Sequence, residues 1–296
     1  MFKKWIVMPL AILAAGIIVQ IGYYFFFPDV SVLENKNPRK TAFMEYREAQ
    51  WEDEGKKKRV RQQWIPLSRI SPYAIKAVII AEDDKFWRHE GFDFQAMQKA
   101  LEKDLKKKSF KAGGSTISQQ LAKNLYLSPS KNPVRKIKEA VLTWRLEQRL
   151  SKKRIIELYL NVAEWGDGIF GIELASQHYF GKPAIALTAL ESAKLASVLP
   201  NPLKFNPIGN SKYVVNRSDR IYQIMVRRGI VIPDYEEMMQ ENGPETTVTG
   251  SDPAFIKQVE EKVQDWQKEA DNAAAKKEAL PSEVPPKAPA DEGEKR

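Results

Sequence analysis

From Trp5 to Phe27 the chain runs 23 residues without a charged side chain, and Lys3 and Lys4 stand before that run. An apolar stretch of this length must satisfy its own backbone polar groups in lipid, which restricts it to a helix. At 1.5 Å per residue it spans roughly 34 Å, enough to cross a bilayer with some tilt. Trp5 and the Tyr23-Tyr24 pair sit at its two ends, where amphipathic rings favour the interface. A cleaved leader is the competing reading. Its apolar core would be only about 7–15 residues and would end in small residues, whereas this run ends in Phe25-Phe26-Phe27. The leading lysines and the short stub before the run place the N-terminus inside and the bulk of the chain outside.

Beyond the anchor, residues 29–65 are mixed and strongly charged, with Lys56-Lys57-Lys58-Arg59, and read as a juxtamembrane connector. Residues 66–243 read as one helical domain. Ser71-Pro72 opens a helix carrying Ile75, Val78 and Ile79 on one face. After Gly113-Gly114 comes a second with Ile117, Leu121 and Leu125, capped by Ser115 or Thr116. Asn132-Pro133 opens a third with Val134, Ile137, Val141 and Trp144 as its apolar stripe. Ser151 caps the helix through Ile155-Ile156, and Thr188-Ala189-Leu190-Glu191 is a capping box ahead of another. The segment from Ser211 to Arg228 stops at Gly229. No alternating run predicts a sheet, so the fold class is mainly α. From Lys268 to Arg296 there are four prolines and no aromatic residue, a composition that cannot bury enough apolar surface to order itself. Residues 244–296 are therefore expected to be a mostly disordered tail, with some helix around Phe255 to Trp266.

Composition removes several chemistries. The chain has no cysteine and two histidines, His89 and His178, which excludes disulfides and Cys/His zinc sites. Between Lys99 and Arg154 there are 16 Lys/Arg against four acids, a net of +12, while the whole chain carries +9. That quarter holds all of the excess. Solvated helix faces account for part of it. A basic surface beside an anchor also suits anionic lipid or a phosphorylated lipid substrate, and an anchor that points the domain outward argues against nucleic acid.

Glu82 falls on the Val78–Ile79 face at a helix C-terminus, where partial burial and the helix dipole both raise a carboxyl pKa toward general-base work. The alternative is a helix-end acid paired with Lys85 or Arg88. Gln119 and Lys123 share a helix face, as do Arg135 and Glu139 one helix later. The second pair reads either as a surface ion pair or as part of a cationic cradle for a pyrophosphate, with Lys123 and Arg135 as donors.

Five blocks together resemble the peptidoglycan glycosyltransferases of family 51, in particular the monofunctional biosynthetic transglycosylases. They are Glu82-Asp83-Asp84-Lys85-Phe86-Trp87-Arg88-His89-Glu90-Gly91; Gly113-Gly114-Ser115-Thr116-Ile117-Ser118-Gln119-Gln120-Leu121-Ala122-Lys123-Asn124; Arg135 to Glu139; Arg154 to Asn161 with Trp165 to Gly168 and Gly171 to Glu173; and Leu190 to Ala193 through Leu199-Pro200. They fall in family order within residues 66–207. The resemblance implies a lysozyme-like domain polymerising lipid II with inversion and releasing undecaprenyl pyrophosphate. It implies Glu82 as base, Glu139 as second catalytic carboxylate, and Gln119, Gln120, Lys123 and Arg135 lining the site. Lys99 and Lys131 stand where many relatives have arginine and are candidate ligands only. No cofactor is required, with a divalent cation such as Mg²⁺ at the pyrophosphate as the optional one. The expected partners are lipid II, the growing glycan strand, membrane lipids and cell-division or elongation proteins, at a bacterial inner membrane with the domain in the periplasm. Ser128-Pro129-Ser130-Lys131 sits among the glycosyltransferase blocks, so no transpeptidase is expected. A glycan-cleaving enzyme and a silent membrane-anchored scaffold are the alternative functions.

Overall fold

The computed structural model describes residues 2–107, 114–129 and 132–231. Lys131 and the tail lie outside the described residues. Helix α1 covers Phe2–Phe26, and the one stretch among the described residues long and apolar enough to cross a membrane begins within it, at Ala15. Then come α2 (Ala42–Asp53), strand β1 (Arg61–Gln62), α3 (Pro72–Glu82), α4 (Phe94–Lys107), α5 (Ile117–Tyr126), α6 (Pro133–Arg149) and α7 (Lys152–Val162). Strands β2 (Glu164–Gly166) and β3 (Ile169–Phe170) follow, then α8 (Ile172–Phe180), α9 (Ala189–Val198) and α10 (Lys212–Arg227). The domain is mainly α, as the periodicity predicts.

Alternation did not reveal the sheet because its strands are two or three residues long. It has order β1-β3-β2, with β1 parallel and β2 antiparallel to β3. Through β1 the segment 29–65 enters the fold, which corrects its reading as a connector. Val30, Leu33, Met44, Trp51 and Ile65 are all buried in the domain. Thr41 caps α2 by accepting the Met44 N–H at 3.2 Å, and Arg47 clamps the buried Glu164 carboxylate through two nitrogens at 3.0 and 2.9 Å. Asn161 imitates a strand neighbour, exchanging two side-chain hydrogen bonds with the backbone of Ile65 at 3.0 and 2.9 Å. The dense charges of this segment hid the few inward residues that hold it.

The central stack is built from α3, α5, α6, α7, α9 and α10. Ile75, Val78 and Ile79 of α3, Ile117, Leu121 and Leu125 of α5, and Ile155 and Ile156 of α7 are buried as their spacing predicts. Ser71 occupies the N-cap position of α3 but does not cap it; its hydroxyl donates to the Leu187 carbonyl at 2.8 Å. Thr116, not Ser115, caps α5 in a full capping box with Gln119, and Thr188 does the same for α9 with Glu191.

The apolar stripe expected on α6 does not face the core. The buried positions are Glu139, Leu142, Thr143 and Leu146, whereas Ile137 and Trp144 are 47% and 49% exposed. The reason is that α6 is flanked on two sides, with α5 and α7 on one and α1 on the other. Its outer stripe lies toward the anchor: Phe25 and Trp144 rings sit 6.4 Å apart and the Lys138 ammonium lies 5.1 Å from the Tyr24 ring centroid.

Candidate active site

Between the end of α3, the body of α5, the N-terminal half of α6 and the start of α10 lies a cavity of about 600 Å³. Each wall is placed by local structure. Glu82 is the last residue of α3, on the face that buries Val78 and Ile79, so its carboxylate is drawn inward and is 11% exposed. The next residue fixes the joint. Asp83 accepts the Ile117 N–H at the start of α5 at 3.0 Å and contacts His89 Nε2 at 2.8 Å. His89 Nδ1 accepts the Gly91 N–H at 3.1 Å, so Nε2 carries the proton and donates to Asp83. A carboxylate at a helix N-terminus also meets the positive end of the dipole. Asp83 thereby locks the end of α3 to the helix that carries Gln119, Gln120 and Lys123.

Around Glu82 the hydrogen bonds form a chain. Gln120 Nε2 donates to one carboxylate oxygen at 2.9 Å, and Tyr159 donates its hydroxyl to Gln120 Oε1 at 3.0 Å. Arg217 of α10 donates to the other oxygen at 3.1 Å and to the Ala81 carbonyl at 3.0 Å. Burial raises the Glu82 pKa above its ordinary 4.5, against the lowering effect of Gln120, Arg217 and Lys123. Lys123 shifts the opposite way: burial pulls its ammonium below the usual 10.5, opposed by Glu139. The partners of Glu82 are thus Gln120 and Arg217, not Lys85 or Arg88.

The facing wall is cationic. Glu139, 3% exposed, accepts from Arg135 at 2.8 Å and pairs also with Lys136, whose ammonium reaches Ser115 Oγ at 3.2 Å. Four cations (Lys123, Arg135, Lys136, Arg217) and two carboxylates (Glu82, Glu139) line the cavity, a net of +2. Gln119 also lines it, although its amide oxygen is spent on the Thr116 N–H at 3.0 Å. Lys99 borders a smaller cavity of about 280 Å³ that shares Ala81, Glu82 and Ser115 with the first. Among the described residues, then, six of the seven candidates lie along the larger cavity and Lys99 along its neighbour.

Arg217, Lys136, Ser115 and Tyr213 are lining residues that sequence reasoning missed. Arg217 had a signal. Val214, Ile221 and Met225 form the buried face of α10, and position 217 is three after the first and four before the second. An arginine placed on a buried stripe needs an anion to meet.

No cluster of three or more acidic or histidine side chains able to hold a metal exists among the described residues. Glu82 and Glu139 are both committed to nitrogen donors, and the remaining polar lining is largely cationic. The cavity therefore does not fit a resident Mg²⁺.

Comparison with known proteins agrees with this geometry. Residues 49–226 match the family described as Transglycosylase. A protein of Nitrosospira multiformis named biosynthetic peptidoglycan transglycosylase is 42% identical over 229 residues, which are 77% of this chain and 99% of that one. Proteins of the same name from Azoarcus sp. and Dechloromonas aromatica are 48% and 52% identical over 66% and 56% of this chain, covering 84% and 72% of theirs.

Proposed function

This chain belongs to the transglycosylase family and is a peptidoglycan glycosyltransferase, and from that premise we propose that it polymerises lipid II by inverting transfer. The observation that carries the reading is a desolvated carboxylate, Glu82, opening on a cavity whose other wall is lysine and arginine. Glu82 takes the proton from the 4-hydroxyl of the acceptor GlcNAc. The freed oxygen attacks C1 of the terminal MurNAc on the growing strand, and the C1–oxygen bond to undecaprenyl pyrophosphate breaks on the opposite face. One displacement converts the α linkage to β. The electron pair leaves on the diphosphate, where Lys123, Arg135 and Lys136 offset the charge that builds up. Glu139 holds Arg135 and Lys136 in place. The net +2 lining favours a substrate bearing a diphosphate over a neutral glycan.

Helix α1 serves as the anchor in the inner membrane, with the catalytic domain on the periplasmic side. A divalent cation enters this scheme as a counter-ion carried by the substrate diphosphate rather than as a resident cofactor. No transpeptidation belongs to this proposal, and fluorescent penicillin should leave the protein unlabelled.

Incubation with radiolabelled lipid II, followed by gel separation, should give a ladder of lengthening strands. Shortening of preformed strands would identify a cleaving enzyme instead, and no change a silent scaffold. Glu82→Gln should lower polymerisation by at least about 10³-fold, of the order expected when a positioned base is lost, while lipid II binding persists. Glu139→Gln should be nearly as damaging. Substantial turnover by Glu82→Gln would remove that residue from the base role.

A further inference from the structure

A second cavity, of about 560 Å³, opens where the end of α1 meets the C-terminal half of α6. Phe25, Phe26 and Trp144 line its apolar side, and Arg145, Arg149 and Asp29 its polar side. We propose that this groove binds the phosphate of an anionic glycerophospholipid, and that the bound lipid sets the height of the catalytic domain above the membrane.

Position identifies the occupant. On the reading of α1 as a membrane anchor, on which this inference rests, its last turn lies at the lipid–water boundary, and whatever fills the groove comes from the headgroup layer. The chemistry agrees. Phe25, Phe26 and Trp144 are 48%, 75% and 49% exposed, a costly arrangement in water but the usual one for rings at the glycerol level. Arg145 spends two donors on the Tyr24 and Phe26 carbonyls, both at 3.0 Å, which ties the last turn of α1 to α6. The Arg149 side chain is exposed and makes no hydrogen bond or ion pair among the described residues, and like Arg145 it acts on Asp29 through its charge alone. Asp29 is turned to Ser31, accepting its N–H at 2.9 Å and its hydroxyl at 2.7 Å. Two guanidinium groups against one carboxylate leave the groove at +1. A planar guanidinium beside aromatic rings suits a phosphate ester whose acyl chains run down the rings.

The groove shares an element with the active site. Helix α6 carries Arg135, Lys136 and Glu139 near its start and Arg145 and Arg149 at its end. Glu139 and Arg149 are ten residues apart, about 15 Å of rigid helix. A headgroup held at one end fixes the other relative to the layer from which a lipid-linked diphosphate arrives.

Native mass spectrometry of the full chain in detergent, titrated with phosphatidylglycerol, phosphatidylcholine or inorganic phosphate, tests the site. The wild type should retain one phosphatidylglycerol in preference to phosphatidylcholine. Arg149→Glu should weaken that retention by about tenfold or more, as expected for reversing one charge against an anionic lipid. Arg227→Glu, the same charge change at an exposed position ending α10, should retain it fully. Equal retention by Arg149→Glu, equal retention of the two lipids, or displacement by equimolar inorganic phosphate would each overturn the proposal. So would a raised KM of Arg149→Glu for lipid II in phospholipid-free detergent, which would mean that the groove belongs to the substrate path. Flotation on phosphatidylcholine vesicles tests the anchor separately: both proteins should float, and a wild type that does not would remove the premise rather than the groove chemistry.

Discussion

In the proposed reaction Glu82 must be ionised yet ready to take a proton from a sugar hydroxyl, and its environment suits both conditions. Burial raises its pKa, while Gln120 and Arg217 keep the carboxylate oriented and limit the rise. Activity requires the ionised form, so kcat/KM should climb through a pKa above the ordinary 4.5. In the same scheme Lys123 stays protonated to offset diphosphate charge, so the alkaline limb should fall below 10.5. A bell-shaped profile narrower than free glutamate and lysine would give is the expected result, and Arg217→Ala should move the acid limb to higher pH by removing a charge that lowers the Glu82 pKa. An unmoved limb would mean that Arg217 only packs. Stability carries the opposite sign. A carboxyl whose folded pKa is raised holds its proton longer in the folded state, so ionising it costs stability as pH rises from about 4.5 through the folded pKa. Glu82→Gln, whose new amide can be met by a flipped Gln120, should therefore match the wild-type Tm near pH 4.5 and equal or exceed it at pH 8. A lower Tm at pH 8 would show that the charge stabilises the fold.

At the scale of elements, the joint between α3 and α5 and the facing of α6 carry the site. Asp83 accepts from both His89 and the Ile117 N–H, and an amide at 83 would turn a donor toward one of them. Asp83→Asn should destabilise the protein by about 1–3 kcal/mol and slow turnover by shifting Glu82 against Gln120. Chemical denaturation and steady-state rates check both. Much of this was legible: Ile75, Val78 and Ile79 place Glu82 inward, and Thr188 with Glu191 announces α9. Three features were not. Strands of two and three residues carry too few side chains to alternate. Residues 29–65 enter the core through scattered Met44, Trp51 and Ile65, too sparse among charges to form a period. Helix α6 turns Leu142 and Leu146 inward beside the polar Glu139 and Thr143, and that broken stripe was masked by the stronger apolar period of Val134, Ile137, Val141 and Trp144. Leu142→Ala should cost about 2–5 kcal/mol, whereas Ile137→Ser should stay within about 0.5 kcal/mol. Comparable losses from both would put Ile137 back in the core.

At the scale of the whole molecule, the proposed function sets the apolar helix α1, the basic quarter and the cavity on one layer of the membrane. Among the described residues the buried core begins at Val30, with Tyr24 of α1 packed against it, and the last turn of α1 meets the domain through α6 and the Arg145 bonds to Tyr24 and Phe26. Helix α1 thus joins the catalytic fold at its last turn, and in the proposed topology its contribution is to concentrate enzyme and lipid-borne substrate in the same thin layer. Effective concentration of this kind is worth about 10²–10⁴ in apparent affinity. A variant lacking residues 2–26 should accordingly polymerise lipid II dispersed in detergent at close to the full rate, while its turnover on vesicle-embedded lipid II falls by at least about tenfold. Raising the salt should weaken the residual vesicle activity further, because only the +12 segment of Lys99 to Arg154 then draws the domain to anionic lipid. Equal losses in detergent and on vesicles would mean that α1 holds the active site itself in shape, through α6 and the ion pairs of Glu139.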